Sequence, residues 1–273
     1  MALSEVIQNY LTGRTSQVAA VAGPNATSYP LLAAAMNGLS LTVELPAFDE
    51  QLIPAVTFDS MSLVPSKTAR QVLLSASITI GINSPLGQSS PLDIDLMDMD
   101  ASLVYQDQDV GALKISGAPV QQLTPTNYQT EFRDAALVLS GTGEAYETFV
   151  QHFIGANETH PIEFRIVGSV SITGHFALGP LDIKGVRIDN TVSLVGLEGL
   201  NRVRVHGISV DGEQESALQL TINATIDNPG VCAVELQDFT LQMSDTKSGT
   251  ILGRVPVPVL ALQPGSNDVT LNG

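Results

Sequence analysis

Apolar and polar residues alternate along residues 56–63, 72–82, 92–105 and 110–115, the period of strands that bury one face. Pro65-Ser66-Lys67, Asn83-Ser84-Pro85 and Gln106-Asp107-Gln108-Asp109 separate these runs with residues suited to turns. The period then changes. Tyr146, Phe149, Val150, Phe153 and Ile154 are spaced i, i+3, i+4, i+7 and i+8, which places all five on one face of a helix. Thr142 is its candidate N-cap and Gly155 its candidate stop. Strand patterns resume over 162–172, 181–188 and 192–195. Short strands at this spacing predict a mainly β fold, an antiparallel sandwich interrupted by one amphipathic helix.

The pattern recurs at about one domain length. Val56, Phe58, Met61 and Leu63 have the spacing of Val203, Val205, Ile208 and Val210, an offset of 203 − 56 = 147. The run from Leu74 to Ile82 before Pro85 returns as Leu218 to Ile226 before Pro229, an offset of 229 − 85 = 144, and Leu123-x-Pro125 returns as Leu262-x-Pro264. Drift between blocks marks loops, where length changes at small entropic cost. The N-terminus matches the other half of the unit. Leu3, Val6, Ile7, Tyr10 and Leu11 repeat the helix face, Val21-Ala22-Gly23 aligns with Ile166-Val167-Gly168, and Asn37, Leu39 and Leu41 align with Asn190, Val192 and Leu194. The expected organisation is therefore the second half of one repeat (1–46), a complete repeat (47–199) and the first half of another (200–273). Such a chain is expected to be a segment of a longer tandem-repeat protein. Its halves would complement each other within a chain or across a dimer.

Composition sharpens this picture. The chain is 44% hydrophobic and 15% charged, with no tryptophan, so Leu, Val, Ile and Ala must fill a folded β-rich core. The net charge of −16 repels phosphate backbones and anionic headgroups, which argues against nucleic acid as a partner. A single cysteine, Cys232, rules out an intramolecular disulfide and fits a buried, inert thiol. No apolar run approaches a membrane span, so any anchor is expected outside this segment.

The strand ending at Asn228-Pro229, the Gly253-Arg254-Val255 hairpin segment and Leu262-x-Pro264, with counterparts ending at Asn83-Ser84-Pro85, at Gly111-Ala112-Leu113 and at Leu123-x-Pro125, resemble the late embryogenesis abundant type 2 domain. Ser84 departs from the family pattern by separating Asn from Pro. The resemblance implies an immunoglobulin-like sandwich without catalytic residues or cofactors. Its tandem form implies a lumenal region of a fungal-type vacuolar or other endomembrane protein, membrane-associated and holding lipid in an apolar groove. Plant members of the family imply a role in dehydration stress.

Candidates for chemistry are few. Asp93, Asp95, Asp98 and Asp100 offer hard oxygen ligands for calcium, but Leu92, Ile94 and Leu96 alternate with the first two, the arrangement of a solvated strand face. His152, His160, His175 and His206 lack the paired spacing of a zinc site. Asp245-Thr246-Lys247-Ser248-Gly249 differs from the Asp-Thr-Gly of aspartic proteases at Lys247 and reads as a hairpin turn. Asn25, Asn157 and Asn223 head glycosylation triplets, Asn223 on the outward face of its strand. No nucleophile elbow, phosphate loop or dinucleotide fingerprint is present, and the expectation is that the protein is not an enzyme. Three readings remain: a binding module with an apolar ligand or lipid under Tyr146, Phe149, Val150, Phe153 and Ile154; a spacer or interaction module; and a stress protectant. A filled core under the helix favours the spacer, an apolar pocket the binding module.

Overall fold

The computed structural model describes residues 3–23, 27–48, 51–83, 93–176, 179–214, 217–244 and 247–272. It is mainly β. The N-terminal part comprises α1 (Leu3–Leu11), β1 (Ser16–Val21), α2 (Pro30–Met36) and β2 (Ser40–Leu45). The central part comprises β3 (Ala55–Pro65), β4 (Gln71–Gly81), β5 (Asp93–Tyr105), β6 (Gln108–Gln122), β7 (Asn127–Leu139), α3 (Glu144–Gly155), β8 (Ile162–Phe176) and β9 (Gly179–Leu194). After a single 3-10 turn at Glu198–Leu200 come β10 (Val203–Gln214), β11 (Ala217–Asn228), β12 (Cys232–Ser244), β13 (Ile251–Leu262) and β14 (Gly265–Asn272).

One sheet of nine strands has the order β13-β12-β3-β4-β7-β6-β5-β8-β9; β10-β11-β14 and β1-β2 form two smaller sheets. Among the described residues every pairing is antiparallel except the short parallel contact of Cys232–Val234 in β12 with Met61–Leu63 in β3. The central seven strands curl until β3 and β9 come together, where buried Asn190 donates from Nδ2 to the Ile53 carbonyl at 3.3 Å. Alternation explains what lies inside: Leu74, Ala76, Ile78 and Ile80 of β4 join Phe164, Ile166 and Val170 of β8 in one continuous apolar core.

Pairing after β9 follows the pairing before it. β10–β11 pair as β3–β4 do, β11–β14 as β4–β7, and β12–β13 as β5–β6, while β1–β2 pair as β8–β9. Even an irregularity recurs. A bulge at Asp59 breaks the alternation between Phe58 and Met61, and a bulge at His206, 206 − 59 = 147 residues later, breaks it between Val205 and Ile208. Two of the sequence matches need correction. Val56 lies opposite Ile80 and Val203 opposite Ile226, so Ile226 is the counterpart of Ile80 and not of Ile82, and the offset from β4 to β11 is 226 − 80 = 146 rather than 144. Val21 lies opposite Ser40 but Ile166 opposite Asn190, so Asn37 is not the structural partner of Asn190. The unforeseen helix α2 occupies the loop and displaces the register.

Other differences have local causes. The strand β7 is not legible in the alternation because a bulge at Arg133-Asp134, with Asp134 at positive φ, shifts its inward positions from buried Tyr128, Thr130 and Phe132 to half-buried Ala135 and buried Leu137. The runs at 181–188 and 192–195 are one strand. Leu96 is exposed, since a bulge after Ile94 flips the phase of β5. Thr142 does not cap α3. Gly143 at φ 92° is the N-cap residue, and the helix stops because Ala156 turns extended, Gly155 keeping a negative φ.

The helix end is gripped by the chain leaving β9. A Cβ on Gly196 would overlap the Phe153 carbonyl oxygen and approach Ala156 Cβ at 3.0 Å, whereas one on Gly155 meets nothing within 4 Å. Gly196→Ala is expected to cost about 1–3 kcal/mol in urea denaturation, and Gly155→Ala to be neutral or stabilising by up to about 1 kcal/mol. Equal effects of the two would contradict this packing.

Candidate functional site

Helix α3 plugs the open end of the curled sheet. Phe149 and Phe153 are 6% and 1% exposed, and Tyr146, Val150 and Ile154 are half-buried against the same core. Phe149 meets Tyr105 of β5 and Phe164 of β8 edge-on, each at 5.6 Å between ring centres, the geometry that aligns ring edges with π faces. The Tyr105 hydroxyl lies 2.6 Å from His152 Nδ1, so the polar tip of the ring is satisfied at the surface side of the helix. Thus the structure brings the five sequence-predicted residues together with strands β3 to β8.

The space under the helix is small. Phe58, Met61, Leu63, Leu103, Tyr146 and Phe149 are among the residues around a cavity of about 20 Å³. That is room for about one water molecule, whereas small-molecule pockets run to several hundred Å³. Burial pushes the Tyr146 phenol up to about 12, the neighbouring Cys232 adding to the shift, and burial alone pushes the Cys232 thiol up to about 12. Neither group offers a nucleophile near neutral pH.

The junctions between parts are built alike. The Phe48 amide donates to the Tyr10 carbonyl at 3.0 Å, and the Leu197 amide donates to the Phe153 carbonyl at 3.2 Å, Tyr10 and Phe153 being matched helix positions. Asn228 supplies the next turn: its Nδ2 donates to the Cys232 carbonyl at 2.8 Å and its Oδ1 accepts from the Gly230 amide at 3.0 Å. This is the work of the Asn-Pro motif. The counterpart residues 84–92, including Ser84, Pro85 and Leu92, lie outside the described residues.

The polar candidates disperse. Asp93, Asp95, Asp98 and Asp100 are exposed; Asp95 meets His175 at 2.8 Å and Asp98 accepts from the Gly117 amide at 2.6 Å. Among the described residues no three His, Cys, Asp or Glu side chains gather as a metal site. Asp245, Thr246 and Asn25 lie outside the described residues, and Asn223 is exposed as its strand phase requires.

One arrangement was not anticipated. Thr225 Oγ1 donates to Asp268 Oδ1 at 2.6 Å and lies 2.6 Å from His206 Nε2. With its single hydrogen given to the carboxylate, the hydroxyl accepts from a His206 protonated at Nε2, which is the reverse of nucleophile activation. The same three strand positions in the central part carry Asp59, Thr79 and Gln129, where Asp59 Oδ2 accepts from Thr79 at 2.7 Å and from Gln129 at 3.1 Å. The threonine persists while its neighbours change chemistry, so the line ties three strands together beside the shared bulge. The signal in the sequence was the bulge spacing itself.

A model of the family described as "Protein of unknown function (DUF3712)" matches residues 109–243, from β6 through α3 to the end of β12. No curated protein and no solved structure matches the chain.

Tyr146 gives the site a pH signature. Its phenol titrates near 10 when unfolded and near 12 when folded, so its contribution to stability is full below pH 10 and is lost as pH rises through 12. Thermal melting of Tyr146→Phe is expected to fall less steeply than wild type across that interval. A parallel fall would place the phenol in solvent.

Proposed function

We propose that this chain is a non-catalytic segment of tandem immunoglobulin-like β-sandwich repeats, one amphipathic helix per repeat, and that its role is that of a spacer and protein-interaction module. The observation that carries this reading is the filled core under α3: a cavity of about 20 Å³ accepts no acyl chain while Phe149 and Phe153 stay seated. The recurring strand pairings, the recurring bulge and the matched junction hydrogen bonds support the tandem reading. So does the family match, whose 243 − 109 + 1 = 135 residues approximate one repeat taken from a different starting strand.

The resemblance to the late embryogenesis abundant type 2 domain supports a place on the lumenal side of a vacuolar or other endomembrane, on a protein anchored elsewhere. No helix among the described residues is long and apolar enough to cross a membrane. The acidic surface suits neutral or basic partners and disfavours anionic headgroups.

Titration with a fluorescent acyl chain separates the spacer from the lipid carrier. The spacer reading expects no saturable binding by the wild-type chain. Saturable binding that disappears in a folded Phe149→Ala variant would overturn it and make the five α3 residues a lipid site.

A further inference from the structure

The segment that joins α3 to β8 carries a triplet that the packing under the helix does not use. Asn157-Glu158-Thr159 follows the acceptor pattern for N-linked glycans, with no proline between the asparagine and the hydroxyl. Ala156 just before it is buried, and its carbonyl accepts from the Glu198 amide at 2.9 Å, which pins the base of the loop to the 3-10 turn. Asn157 is half-buried while Glu158, Thr159 and His160 are exposed. The triplet therefore sits at the tip of an anchored loop.

Its side chains are arranged by local bonds. Asn157 Oδ1 accepts from the Thr159 amide at 3.0 Å, from Thr159 Oγ1 at 2.7 Å and from the His160 amide at 2.8 Å. The Asn157 amide in turn donates to the His160 carbonyl at 3.1 Å. Every bond of the side chain falls on its oxygen, and Nδ2, the atom that would carry a glycan, has no partner among the described residues. Because these partners lie within three residues, the turn needs no distant strand to form. Beside it runs an open groove of about 370 Å³ lined by Asn157, Thr159, Glu198 and Asn201 among others, space on the scale of a small-molecule site.

The acceptor triplet on β11 is placed differently. Asn223 is exposed, but its backbone lies between Gly207 of β10 and Thr270 of β14, and its Oδ1 accepts from Thr270 Oγ1 at 2.9 Å. The hydroxyl of that triplet is already engaged: Thr225 is 9% exposed and its Oγ1 donates to Asp268 at 2.6 Å. A transferase must hold the asparagine amide and the hydroxyl together, so of these two triplets the folded chain presents only Asn157 and Thr159.

We propose that Asn157 is an N-glycosylation site, used in preference to Asn223 when the chain is in the lumen of the secretory pathway. The proposal rests on the lumenal reading for its setting. The donor class is a lipid-linked glycosyl diphosphate. Asn157 Nδ2 bonds to the anomeric carbon of the first sugar as the bond from that carbon to the diphosphate oxygen breaks. The lipid diphosphate leaves with the electron pair, and the nitrogen gives up one proton to a base of the transferase. The groove beside Asn201 then receives the first sugar, and the buried rings of Phe149 and Phe153 stay covered.

Translation in the presence of microsomes tests this on the full chain, carrying a cleavable signal peptide and Asn25→Gln so that two acceptors remain. One glycan, removable by peptide N-glycosidase, is expected. Asn157→Gln and Thr159→Val should each lose it, whereas Thr159→Ser and Asn223→Gln should keep it. Denaturing gels read the result whether or not a variant folds. A chain without a glycan, or a glycan that survives Asn157→Gln, would overturn the proposal. The same glycosidase assay on the protein from its own cells addresses the compartment separately: an unmodified native chain beside a modified microsomal one would remove the lumenal location and leave the acceptor site standing.

Discussion

A sheet that curls far enough to enclose a core must bring distant strands together, and here the edge strand β9 meets β3, itself paired with β12 only over Met61–Leu63, without a backbone ladder among the described residues. Closure then rests on burial of Val56, Phe58, Met61 and Leu63 against the face of β8 and β9, with Asn190 bonded to Ile53 at the rim. Each such apolar side chain contributes about 1.5–3 kcal/mol when fully buried. The helix depends on the same closure. Phe149 finds its edge-on partners only because β5 and β8 have been carried round to meet it.

The strands on either side of the central part follow the same pairing pattern. β10 has the bulge, the alternation and the threonine tie of β3's surroundings, but its apolar positions face solvent. β12 and β13 lean instead on β3, extending the central sheet, and α1 leans on β9 through Leu11. Neither end shares a sheet with the other. The chemistry-bearing side chains are spread over outer faces, while Leu41, Val43, Val205 and Ile208 leave apolar area exposed.

Much of this was legible in the alternation, because a half-buried strand repeats its burial every second residue. The mainly β fold, the helix face from Tyr146 to Ile154 and the match of Val56–Leu63 to Val203–Val210 came through for that reason. Bulges account for most of what did not. At Asp134 a bulge hid a strand, and at Ile94 it turned Leu96 outward, whereas the bulges at Asp59 and His206 kept the same spacing in both blocks and so left their match readable. The size of the space under the helix was illegible in principle, since five apolar residues at helical spacing describe a plug and a gate equally well. Only the rings of Tyr105 and Phe164, brought from distant strands, decide that the space is filled.

Hydrogen exchange followed by mass spectrometry in dilute solution tests the closure most directly. If β3 and β9 are sealed only by each other's side chains, amides of β3, β8 and β9 should exchange together and slowly, by global opening. Amides of β2 and β10, matched in sequence but unsealed, should exchange much faster. Protection of β2 and β10 equal to that of β9 and β3 in the dilute monomer would contradict the account.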